Sequence, residues 1–188
     1  MRKRVVILAS GAGSLTQAIL DATELDIQIV AVVSDKPDAL VLERAKKANI
    51  NTSVIELKGD RVAWDRQMFD QVLQYQPDLV ISAGFMKILS SEFVSNFPTI
   101  NSHPALLPDF PGAHAVRDAL AAGVTITGTT VHWVDAGVDT GEIIAQAELD
   151  IAPDDNEESL HERIKIIERS LIVATIEQLL STMENGRS

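Results

Sequence analysis

The segment RVVILASGAGSLTQAILDA, residues 4–22, decides the fold class. Its first part, Arg4 to Ala9, is a short apolar run rich in β-branched residues, the composition of a strand buried on both faces. Ser10-Gly11-Ala12-Gly13 ends that run, and SLTQAILDA then carries helical patterning with Ser14 as the expected N-cap. A buried strand, a glycine turn and a helix in immediate succession predict the first unit of a parallel sheet, because parallel neighbours need a crossover between them.

The pattern recurs along the chain. DIQIVAVVS predicts a second strand and ALVLERAKKA a second helix, TSVIEL a third strand, and DRVAWDRQMFDQVLQY a helix with Val62, Met68, Val72 and Leu73 near helical spacing. DLVISAG predicts a fourth strand, SSEFVSNF a short helix, and TINSH a fifth strand stopped by Pro104. Beyond the helical HAVRDALAAG the style changes. TITGTTVHWV alternates and is Thr-rich, DAGVDTG is a glycine-rich loop, and EIIAQAEL closes what reads as a pair of strands. A last helix is expected from Asp155, with Glu158 completing a capping box and Leu160, Ile164, Ile167, Leu171 and Ala174 forming one apolar stripe. The expected fold is α/β: one domain over residues 1–188, a mostly parallel, twisted, Rossmann-like sheet with helices on both faces, and an antiparallel portion near the C-terminal half.

Composition narrows the function classes. Hydrophobic residues make up 46 % of the chain and charged residues 23 %, the balance of a globular protein. There is no cysteine, which removes disulfides, thiol nucleophiles and Cys-based metal sites and fits a reducing cytoplasm. The net charge of −11 argues against nucleic acid and membrane surfaces as partners. The start, MRKRVVILASGAGS, has a basic head but an apolar run too short for a signal sequence or a membrane span.

Several segments carry possible chemistry. SGAGS, residues 10–14, lies where a helix N-terminus can offer backbone N–H groups to a phosphate. As a dinucleotide fingerprint it is defective, because Thr16 stands where the third glycine belongs, although Asp35 near the end of the second strand can stand in for the ribose-binding acid. Phosphate binding, dinucleotide binding and a plain tight turn all stay open. In SAGFMKILS, residues 82–90, the apolar Phe85, Met86, Ile88 and Leu89 either pack the core or wall a site, and Lys87 is a lone cation that can meet an anionic tail. Asn101 and His103 stand on the same face of a strand end, an amide beside a side chain that titrates near neutrality. Asp135 and Asp139 in DAGVDTG either orient that histidine and raise its pKa or simply form a turn. His132 and His161 read as structural, His114 as undecided, and the four histidines have no metal-ligand spacing.

Taken in order, SGAGS, SAGFMKIL, INSHPALLPDFPG and TGTTVHWVDAGVDTGEIIAQ resemble the formyl transferase superfamily, and within it the phosphoribosylglycinamide formyltransferases, over nearly the whole chain. The resemblance implies transfer of the formyl group of 10-formyltetrahydrofolate to the amine of 5-phosphoribosylglycinamide in purine synthesis, without a metal, by a cytoplasmic monomer or homodimer. It implies a catalytic set of Asn101, His103 and Asp139, with His103 protonated and kept charged by Asp139. Residues 1–98 become a phosphate-binding half and residues 99–188 a catalytic and folate-binding half. Gly13, Ser14 and Leu15 then receive the ribosyl phosphate, and Glu168 holds the glycinamide amine. Met86, Lys87, Ile88, Leu89, Asn101 and the loop Asp135, Ala136, Gly137, Val138 and Asp139 surround the folate, with Arg61 reaching its glutamate tail. Two departures stand out. Leu15 occupies a position where many members have Asn, so the phosphate must rely on backbone contacts, and the chain closes on MENGRS where many relatives continue into a further strand. Within the superfamily, transfer to a charged tRNA goes with an added C-terminal domain and hydrolysis of the formyl folate with an added N-terminal one. A noncatalytic nucleotide-binding module is the third alternative.

Overall fold

The computed structural model describes residues 2–185, so the last three residues of MENGRS lie outside it. Seven strands and six helices follow one another along the described residues, alternating up to β6: β1 Lys3–Leu8, α1 Ser14–Asp21, β2 Ile27–Ser34, α2 Leu40–Lys47, β3 Asn51–Val54, α3 Arg61–Tyr75, β4 Leu79–Ser82, α4 Ser91–Asn96, β5 Thr99–His103, α5 Ala115–Ala122, β6 Ile126–Trp133, β7 Ile143–Asp150 and α6 Glu157–Asn185. This is the α/β class, with parallel strands in the first half and an antiparallel pair near the C-terminal half, flanked by helices. The chain divides into two compact units, Met1–Ile100 and Asn101–Ser188. Among the described residues no helix is long and apolar enough to cross a membrane.

In the first unit β1 is the centre, pairing in parallel with β2 on one side and β4 on the other, and β2 pairs in parallel with β3. The continuous apolar runs follow from that position: Val5 to Leu8 and Leu79 to Ser82 are buried at every residue. The edge strand β3 differs. It stops at Val54 rather than running on through Leu57, and none of its side chains is fully buried, since an edge gives them one neighbour instead of two. Helix α3 buries Trp64, Met68 and Val72 at four-residue spacing. Val62 and Leu73, expected in that stripe, are 79 % and 49 % exposed, because they lie two positions and one position off the buried line. The indole N–H of Trp64 donates to the Ile55 carbonyl at 2.7 Å, which lets a large polar-tipped ring close the core formed with Phe85, Phe93 and Phe97. Asp60 caps α3 by accepting from the Ala63 N–H at 3.1 Å. Asp60→Ala should therefore cost about 1 kcal/mol, the usual worth of such a cap, seen as a lower melting temperature with unchanged turnover.

In the second unit β6 and β7 pair antiparallel from Ile126↔Asp150 onward, and α6 packs on both. The N-cap of α6 is Asn156, not Asp155. Its Oδ1 accepts from the N–H groups of Glu158 and Ser159, and Ser159 Oγ accepts from the Asn156 N–H in return. Asp155 instead accepts from the Ala152 N–H and pairs with Arg163, pinning the turn ahead of the helix. The buried line of α6 starts at Leu160 and Ile164 as expected but continues through Ile172 and Ile176, leaving Ile167 and Leu171 half-buried and Ala174 exposed.

Candidate active site

Within the second unit, β5 delivers Asn101, Ser102 and His103 to a strand end stopped by Pro104, whose missing N–H ends the ladder. Both imidazole nitrogens of His103 face acceptors. Nε2–H donates to the Phe110 carbonyl at 2.8 Å, and Nδ1 lies 3.3 Å from Asp139 Oδ2. Asp139 sits in the β6–β7 loop in the left-handed region, at φ +54°. Its Oδ2 also accepts the Gly112 N–H at 2.8 Å. Asn101 meets the group through a side chain that sequence reasoning treated as structural. His132 Nε2 lies 3.2 Å from Asn101 Nδ2 and 3.5 Å from Asp139 Oδ1, while its Nδ1–H donates to the Trp133 carbonyl at 2.8 Å. The ring accepts from the amide when neutral and donates to the carboxylate when protonated. The adjacent Ser102 hydroxyl donates to Glu168 Oε1 at 2.7 Å, tying β5 to α6.

The two readings of DAGVDTG divide between its two aspartates. Asp139 is the one beside the imidazoles. Asp135 is exposed and accepts from Gly137 N–H at 2.9 Å and Thr140 Oγ–H at 2.7 Å, so it shapes the turn that also holds Ala136 and Val138.

Electrostatics corrects one expectation. His103 is held below the ordinary histidine value, not above it: burial disfavours the imidazolium and outweighs the attraction of Asp139 and the Phe110 carbonyl, and His132 adds to the lowering. For Asp139 burial acts upward, but the His132 ring, the Gly112 N–H and His103 together carry the carboxyl below the usual range, so it is ionised at neutral pH. Burial raises Glu168 despite the Ser102 hydrogen bond and the nearby Lys165 and Arg169.

The first unit holds the other predicted residues. Gly13, at φ +73°, is itself the cap position of α1; Ser14 is the first helical residue rather than the N-cap, and no side chain caps the first turn. Ser14 and Leu15 thus lie where helical N–H groups have no intrahelical acceptor. Helix α2 braces the loop, with Val41 N–H donating to the Gly11 carbonyl at 3.1 Å and Arg44 Nε to the Ala12 carbonyl at 2.8 Å. In the next segment Phe85 and Leu89 are buried, whereas Met86 and Ile88 are 64 % and 55 % exposed, so core and wall alternate. Arg61 donates to the Ile88 carbonyl, pairs with Asp65 and lies over the Trp64 ring, which fixes its head beside that wall. Lys87 is 3.6 Å from the buried carboxylate of Asp35. Asp35 is thus a buried acid beside a cation, not the exposed one that a dinucleotide's ribose would meet. Among the described residues no group of three His, Asp or Glu side chains is placed to hold a metal ion.

Residues 3–176 match the family model described as Formyl transferase. The chain belongs to the formyl transferase family. Among its relatives, a phosphoribosylglycinamide formyltransferase of Mycobacterium tuberculosis is 48 % identical over 182 residues, covering 94 % of this chain and 84 % of that protein. One of Escherichia coli is 40 % identical over 174 residues, covering 89 % and 82 %. The crystal structure of phosphoribosylglycinamide formyltransferase from Bacillus halodurans superimposes with a TM-score of 0.92 at 37 % identity, covering 97 % of this chain and 98 % of that one. The formyl transferase chain described here thus shares both sequence and fold with these enzymes along almost its whole length.

Proposed function

We infer that the protein transfers the formyl group of 10-formyltetrahydrofolate to the amino group of 5-phosphoribosylglycinamide in purine synthesis. The observation that carries this reading is the buried His103–Asp139 contact at 3.3 Å, beside Asn101, in a chain of this family. In this reading the second unit is the catalytic half and the first the phosphate-binding half, in a cytoplasmic monomer or homodimer.

The reaction needs a proton acceptor, an oxyanion partner and a proton donor in turn. The substrate nitrogen attacks the formyl carbon, negative charge gathers on the formyl oxygen, and the bond from that carbon to the folate nitrogen breaks as that nitrogen gains the proton the amine loses. Asn101, with one amide hydrogen toward His132, has the other free for the formyl oxygen. His103 starts neutral, its proton on Nε2 held by Phe110, and accepts a second proton at Nδ1. The imidazolium then lies between two acceptors already in place, Phe110 and Asp139, so its charge is favoured as it forms, without reorganisation. It returns the proton to the leaving folate nitrogen. Glu168 takes the amine, Gly13, Ser14 and Leu15 the phosphate through backbone N–H groups, and Arg61, Met86, Lys87, Ile88, Leu89 and residues 135–139 the folate.

The test is direct. Purified protein with both substrates should give deformylated folate and formylated amine, with kcat rising from acid pH along a limb whose midpoint lies below the ordinary histidine value. Absence of turnover at neutral pH overturns the reading, and formate released without any amine present would make the enzyme a hydrolase instead. Glu168→Gln should raise KM for the amine about tenfold, a charge-assisted hydrogen bond's worth, and leave KM for the folate unchanged. Because burial raises the folded pKa of Glu168, the parent loses stability as pH rises through that value, so Glu168→Gln should also melt higher than the parent at neutral pH.

A further inference from the structure

Between the two catalytic candidates runs a short turn, Phe110-Pro111-Gly112, that touches both. The Phe110 carbonyl accepts from His103 Nε2–H at 2.8 Å, and two residues on the Gly112 N–H donates to Asp139 Oδ2 at 2.8 Å, the oxygen that faces His103 Nδ1. A closed ring of contacts results: imidazole, carbonyl, two peptide units, amide, carboxylate, imidazole. The backbone is unusual at each of its corners. Phe110 has φ +52°, Gly112 +89° and Asp139 +54°. A bulky side chain rarely adopts the left-handed region, so such conformations persist where surrounding contacts over-determine them.

We propose that the Phe110–Gly112 turn is the positioning element of the His103–Asp139 pair, with Gly112 as its positioning residue. The proposal rests on the reading of that pair as catalytic. Phe110 assigns the imidazole protons: with Nε2–H committed to its carbonyl, Nδ1 is the site that gains and loses the proton in each cycle. Gly112 assigns the carboxylate: its amide keeps Oδ2 opposite Nδ1. The titratable groups facing His103 are Asp139 from the β6–β7 loop and His132 from β6. Without the Gly112 amide the Asp139 side chain is left with His132 as its other anchor and can rotate off Nδ1.

Gly112→Ala tests this cleanly, because a Cβ there meets nothing within 4 Å and the only direct conflict is the backbone angle. Gly123→Ala is the matched control, also at positive φ with open space but at the C-terminal cap of α5. Histidine ring signals followed by NMR against pH in the ligand-free protein should show His103 in Gly112→Ala titrating lower by about one pH unit, the effect of losing one opposed charge at this range. Its kcat at neutral pH should fall about tenfold with both KM values within twofold, as expected when a proton-transfer geometry is lost rather than binding. Gly123→Ala should titrate and turn over like the parent. Identical titration of His103 in parent and Gly112→Ala overturns the proposal, as does an equal shift in both variants. Should the parent itself fail to transfer formyl groups, the assay fails for every variant while the titration still decides the role of Gly112.

Discussion

His103→Ala should lower kcat for formyl transfer by about a thousandfold, within the range general acid–base groups supply, and leave both substrate affinities within about threefold. The side chain is buried between an acceptor on each nitrogen and takes no part in the hydrogen bonds that brace Gly11, Ala12 and Ile88, so its removal deletes the proton relay and leaves those bonds as they are. Calorimetric affinities within that threefold range beside the thousandfold fall in turnover are the expected signature; a parallel collapse of affinity and turnover would assign His103 to binding. A second readout follows from the direction of its pKa. Burial depresses His103 in the folded chain, so the unfolded chain binds that proton first as pH falls. The stability His103 allows is therefore complete above the unfolded histidine value, about 6.5, and is lost as pH falls through the lower folded value. His103→Ala should flatten that acid limb of melting temperature against pH. It will not abolish it, because burial also holds His161 low.

The fold was legible because buried strands advertise themselves. Val5 to Leu8 and Leu79 to Ser82 are apolar at nearly every position because they are buried inside the sheet, and that run gave their type and their place to within one or two residues at each end. Elements with one exposed face were read less well. In α3 and α6 the sequence offers apolar residues on more than one face, so that Val62 beside Trp64, or Ile167 and Leu171 beside Ile164 and Ile172, allow two stripes to be drawn, and tertiary packing chose the other one. The site was half legible. Asn101 and His103 are neighbours along one strand, and their shared face follows from its period of two. His132 lies on a different strand whose residues from Thr127 to His132 are all buried, so alternation there carries no sign of which side faces Asn101. The sign of the His103 shift was also beyond sequence, since it depends on how far burial outweighs one carboxylate, and only the packed structure holds that balance.

Gly13→Ala should damage both stability and phosphate binding, and the geometry separates the two costs. A Cβ at residue 13 would lie 2.5 Å from Val41 Cγ2, 2.6 Å from Val41 Cβ and 3.0 Å from Val41 Cα, and the backbone angle is +73°. The angle alone costs an L-residue roughly 1–2 kcal/mol. The overlap forces Val41, fully buried at the start of α2, to retreat, and such overpacking adds about 1–3 kcal/mol. Their sum, about 3 kcal/mol, corresponds to a fall in melting temperature of about 10 °C for a chain of this size. Retreat of α2 also strips the loop of its two braces, the Val41 N–H on Gly11 and the Arg44 guanidinium on Ala12, so the N–H groups of Ser14 and Leu15 lose their common aim. KM for the phosphate-bearing amine should rise more than tenfold while KM for the folate stays within about twofold, because Leu15 brings no polar side chain to substitute for a misdirected backbone. The double variant Gly13→Ala/Val41→Ala discriminates between strain and overlap. Trimming Val41 to Ala removes the overlap with its Cγ2 but leaves those with its Cβ and Cα and the strained angle, so the two losses should combine to somewhat less than their sum. Additive losses would mean that the Val41 side chain does not feel residue 13, and the Gly11–Ser14 loop would then owe its shape to something other than this contact.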